Sequence, residues 1–112
     1  MATVTTIPVN IAADAEEHVR QLGMQPQFET MLERLREVIP GIRAIDVSLE
    51  YPPDYVDDPV ILLTTYQPRP PAAGDPTRSA WRSWMISTFS PDILKHFVRL
   101  PFYISAIQKA FP

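Results

Sequence analysis

IRAIDVSLEYPPDYVDDPVILLTTY, Ile42 to Tyr66, decides the fold. In its first part Ile45, Val47, Leu49 and Tyr51 alternate with Asp46, Ser48 and Glu50. That period of two sends apolar side chains to one face of a strand and polar ones to the other. In its last part VILLTTY, Val60 to Tyr66, is apolar on both faces at its start, as expected of a strand nearer the middle of a sheet. Between them, residues 52–59 include Pro52, Pro53 and Pro59, which is loop chemistry. The stretch reads as a hairpin whose polar face, Asp46, Ser48 and Glu50, is either solvated or a docking surface.

The same stretch carries Glu50, Asp54, Asp57 and Asp58, enough carboxylate to raise a metal site. A Mg²⁺-dependent nuclease site needs an acid on one strand and an acid-x-Lys triplet on the next, so that two carboxylates hold the ion and the lysine stabilises the attacking oxygen. VILLTTY has neither acid nor lysine. A calcium loop needs acids at alternate positions around a central glycine, and no glycine lies between Arg43 and Ala73. The acids are read as a solvated turn, with no metal and no cofactor assigned.

Upstream, Phe28, Met31, Leu32, Leu35, Val38 and Ile39 fall at i, i+3, i+4, i+7, i+10 and i+11, one apolar stripe of a helix. Pro26 suits its first turn and Pro40-Gly41 ends it. AADAEEHVRQLG, ending at Gly23, predicts a shorter helix before it, with Asp14, Glu16 and Glu17 near the positive end of its dipole. Residues 3–9 are β-branched, but Pro8 confines them to an edge strand or an extended arm.

Downstream, QPRPPAAGDPTRS, residues 67–79, is a Pro-rich loop. AWRSWMISTF after it is read as a third strand, with Trp84, Ile86 and Thr88 on one face and Met85, Ser87 and Phe89 on the other. SPDILKHFVRL predicts a helix: Ser90 as N-cap, Pro91 at the first position, Asp92 at the positive end, and Ile93, Leu94, Phe97 and Val98 as its stripe. FYISAIQKAF predicts a last short helix. The expected fold is one α+β domain over residues 1–112: two N-terminal helices, a three-stranded antiparallel meander, and one or two C-terminal helices. A fourth, N-terminal edge strand is the variant of this plan.

The composition, 46% apolar and 21% charged, is that of a globular chain. No cysteine is present, which removes disulfides, thiolate nucleophiles and cysteine-based zinc sites. The N-terminus has no basic and apolar leader pattern, and no apolar run approaches a membrane span, so a cytoplasmic protein without membrane contact is expected. The net charge of −3 is divided unevenly: residues 1–67 hold eleven acids and four arginines, residues 68–112 two acids and six bases. Such polarity suits docking to a partner of opposite charge, or two halves that face each other within the fold.

Catalytic patterns are weak. Asp92 and His96 are four apart, but a metal site needs a third ligand and His18 is the only other histidine. There is no G-x-S-x-G elbow, and Gly23, Gly41 and Gly74 are too scattered to cradle a phosphate. An enzyme is the class with least support. What remains is DPTRSAWRSW, where Arg69, Arg78 and Arg82 interleave with Trp81 and Trp84. Arginine with aromatics is the composition of interaction hot spots, and it also suits base stacking with phosphate contact. The reading is a non-enzymatic interaction module, or an antitoxin-like accessory subunit, binding a protein partner or a second copy through these five residues or the edge strand. Its alternative is weak binding of RNA or single-stranded DNA, which a pI near 5.2 opposes.

Overall fold

The computed structural model describes residues 7–51 and 58–104. Its elements in chain order are β1 (Val9–Ile11), α1 (Ala13–Leu22), α2 (Gln25–Val38), β2 (Ala44–Glu50), β3 (Val60–Gln67), α3 (Thr77–Thr88), α4 (Pro91–Leu94) and β4 (Phe97–Tyr103). The strands form one mixed sheet in the order β1-β2-β3-β4. β2 and β3 pair antiparallel as the expected hairpin, with Val47 opposite Leu63 and Glu50 opposite Val60. β1 joins β2 in parallel, and β4 joins β3 in parallel.

The chain is therefore two β-α-α-β units joined by a hairpin, a small α+β domain and not an antiparallel meander. The second pair of strands runs opposite to the first, yet both connections step the same way across the sheet and over the same face. The two crossovers therefore have opposite hands, and one departs from the right-handed rule.

Two sequence expectations are corrected. AWRSWMISTF is not a strand: it lies in α3, where Trp81, Trp84 and Met85 at i, i+3 and i+4 turn toward the core and Ile86 stays 60% exposed. Just before this helix Asp75 accepts a hydrogen bond from the Thr77 amide at 2.7 Å, and hydrogen bonding to the Thr77 side chain first, and to its backbone second, holds the Asp75 carboxyl below the ordinary range. SPDILKHFVRL is not one helix. It makes a single turn, α4, and then extends as β4, whose Pro101 has no donor and fits the sheet edge. The helix expected over FYISAIQKAF begins as strand to Tyr103, and residues 105–112 lie outside the described residues. The N-terminal edge strand forms at Val9–Ile11, with residues 1–6 likewise outside.

The register puts odd-numbered residues of β2, β3 and β4 on one face. Ile45, Val47, Ile61, Leu63 and Phe97 there are buried beneath Phe28, Met31, Leu32 and Leu35 of α2 and Trp81 and Met85 of α3. Phe28 stacks on Phe97 with centroids 6.2 Å apart. Gly23, at φ 68°, ends α1 in the left-handed region, its amide bonding back to Arg20. α1 to α4 lie on this face, and no helix among the described residues is long and apolar enough to cross a membrane.

Candidate functional site

The even-numbered face of the sheet carries no helix among the described residues. It presents Asn10, Asp46, Ser48 and Glu50 on its β1/β2 side, and Leu62, Thr64, Tyr66, Val98, Leu100 and Phe102 on its β3/β4 side. Val98, Leu100 and Phe102 are 46%, 47% and 39% exposed, a row of apolar side chains on consecutive even positions of an edge strand. Scattered surface apolar residues are ordinary, but a contiguous row on a sheet face is not.

A hydrogen-bonded chain ties the polar side to the apolar side. The Tyr66 hydroxyl donates to Asp46 Oδ2 at 2.8 Å, Asn10 Nδ2 donates to Asp46 Oδ1 at 3.1 Å, and Ser48 Oγ donates to Glu50 at 3.1 Å. The Tyr66 ring packs edge-on against Phe102, centroids 5.5 Å apart. The bond to Asp46 is the main cause, with burial and the Asp46 charge behind it, of a phenol pKa above the ordinary 10.0. Because the folded value is raised, the contribution to stability is complete below pH 10.0 and is lost as pH rises through the folded value. Asp46→Asn is therefore expected to return the Tyr66 titration toward the ordinary value, read from its ring carbon resonances. A Tyr66 pKa unchanged in Asp46→Asn would show that burial alone sets it.

The five residues singled out in the sequence do not share one surface. Trp81 is 6% exposed and faces the core. Trp84 is half-buried, with its ring 5.3 Å from that of Trp81, edge-on to Phe89, and the Arg34 guanidinium 5.5 Å from its centroid. Arg78 and Arg82 are exposed on α3, and Arg69 is exposed in the connection before it. Asp92 and His96 do not share a helix, since α4 ends at Leu94. Burial first, then the charges of Lys95 and His18, lower the His96 pKa. Glu50 and Asp58 are exposed, Asp54 and Asp57 lie outside the described residues, and no three His, Asp or Glu side chains gather as a metal site among the described ones.

The apolar half of this face is not apparent in the sequence because Ile93, Leu94, Phe97 and Val98 also satisfy a helical stripe. The alternation in FVRLPFY was the available signal. Comparisons with protein-family models, with curated proteins and with solved structures find no match.

Proposed function

We propose that the chain is a protein-interaction module whose contact surface is the even-numbered sheet face, which no helix among the described residues covers. The observation that carries this reading is the exposed row Val98, Leu100 and Phe102 beside the Asp46–Tyr66 pair. An apolar centre with a polar margin is the anatomy of a docking surface.

The charge of the face selects its occupant. The register places Asp46 and Glu50 on it and no lysine or arginine from β1 to β4. A second copy laid over the whole face sets acid over acid, or acid over the apolar row, and both arrangements are unfavourable. The fitting partner is a protein segment with an apolar stripe flanked by lysine or arginine. Base stacking on Trp81 is not supported, because its indole is buried.

A photo-reactive residue placed at Leu100 in the full chain is expected to give one dominant adduct in cells, whose attached peptide is apolar with basic flanks. The same group at Arg82, on the helix side, is expected to give none. Leu100→Glu should abolish capture through a reporter at Val98. Adducts from Arg82 but not from Leu100, or a dimer of the chain itself, would overturn the reading.

A further inference from the structure

Between α1, α2 and the end of β1 the core is incompletely filled. The buried side chains of α1 are Ala15 and Val19, both small, whereas α2 presents Phe28, Met31, Leu32 and Leu35. Side chains of such unequal reach leave space along the seam of two helices. That space is a cleft of about 140 Å³, open to solvent on one side.

The floor of the cleft is apolar. Val19, Phe28 and Leu32 in it are buried, and Ile11, which shares the side of buried Val47, is nevertheless 37% exposed because it borders the opening. The rim is of the opposite kind. Glu16 comes from the first turn of α1, Gln25 and Glu29 from the start of α2, and no lysine, arginine or histidine among the described residues lines the cleft. Neither glutamate is in an ion pair; those formed by these two helices among the described residues join Glu17 to Arg20 and Arg34 to Glu37.

These features select an occupant. An apolar cavity of roughly 150 Å³ lined by Leu, Ile and Phe takes one benzene ring, so the floor suits a ring of that size. Two unpaired carboxylates at the mouth favour a positive charge there and repel a negative one. Pro26, in the first turn of α2 beside Gln25, has no amide N–H with which to offset that repulsion for an anion. A ring for the floor and a cation for the rim are the two parts of an arylalkyl amine.

We propose that this cleft binds a small arylalkyl ammonium ion, its ring against Val19, Phe28 and Leu32 and its ammonium group at the Glu16 and Glu29 rim. The cleft lies on the helix side of the sheet and stands independently of the proposed docking face. The test is a titration of the full chain with phenethylammonium chloride at fixed ionic strength, following the methyl resonances of Ile11, Val19 and Leu32. The parallel arms are 2-phenylethanol, a ring without charge; phenylacetate, a ring with the opposite charge; and methylammonium, the charge without a ring.

Saturable shifts confined to the cleft are expected with phenethylammonium, with 2-phenylethanol weaker by about tenfold and no saturation by phenylacetate or methylammonium. Glu16→Gln and Glu29→Gln, both at exposed positions, should each weaken phenethylammonium about threefold and leave the melting temperature unchanged. Ile11→Trp, which fills the mouth, should abolish the shifts at Val19 and Leu32 in a chain that still folds by circular dichroism. Phenylacetate bound as tightly as phenethylammonium, unchanged affinity in the doubly substituted Glu16→Gln, Glu29→Gln chain, shifts of equal size at Val98 and Leu100, or shifts that never saturate would overturn the proposal.

Discussion

Trp81→Ala is expected to cost about 3–5 kcal/mol of folding stability, the usual range for removing a buried tryptophan. The indole is 6% exposed, belongs to the same core as Met31, Leu35 and Met85, and packs against Trp84. Its loss leaves a cavity where α3 meets the rest of the core, and the surrounding strands and helices can collapse into it only in part. A melting temperature lower by on the order of 15 °C should follow, measured by circular dichroism. Arg82→Ala, one residue away and exposed, should stay within about 0.5 kcal/mol of the parent chain. The pair separates two roles for this tryptophan. A residue that serves only to contact a partner would leave stability unchanged when truncated, and a Trp81→Ala protein that melts with the parent would remove Trp81 from the core.

That contrast also shows where the sequence spoke clearly. α2 was legible because six apolar residues keep a 3.6-residue period over three turns, and no other secondary structure satisfies that spacing. The β2–β3 hairpin was legible because Asp46, Ser48 and Glu50 could not all sit on a buried face. α3 and β4 are ambiguous in the sequence for a common reason: each is rich in aromatic and branched residues, so either period can be threaded through it. In α3 the tryptophans suggested a strand, although Trp81, Trp84 and Met85 also satisfy a helical stripe, and only packing against α2 decides between the two. In β4 a good start signal at Ser90-Pro91-Asp92 was real, but it started one turn and no more. The start of a helix is encoded locally by its cap; its length is encoded by what the stripe meets, and Phe97 meets Phe28 from a strand.

The polar half of the candidate face was legible for the same reason as the hairpin, since Asp46, Ser48 and Glu50 share a side of β2. The apolar half needed β4 as a strand. The cleft between α1 and α2 was beyond the sequence altogether. It combines Ile11 and Glu16 with Phe28, Glu29 and Leu32, which adjoin only because the chain turns at Gly23 and sets α1 beside α2.

The two faces of the sheet make the sharpest contrast in expected outcome, and one substitution read at two valines exposes it. Val47 is 2% exposed on the covered face, opposite Leu63 and within the core that α1 and α2 close. Val98 is 46% exposed on the opposite face of the sheet, in the edge strand. Val47→Asp places a carboxylate in the buried core, a cost of several kcal/mol even after the group takes up a proton. Against a total stability on the order of 5–15 kcal/mol that is enough to leave the chain largely unfolded at neutral pH, with partial recovery expected as acid neutralises the carboxyl. Val98→Asp keeps its charge in solvent and gives up only strand propensity and a half-exposed contact, about 1 kcal/mol. Amide exchange and circular dichroism on the two variants read the difference directly. A folded Val47→Asp chain beside a collapsed Val98→Asp chain would invert the register of β2 and β4, and with it the face on which a partner is to be sought.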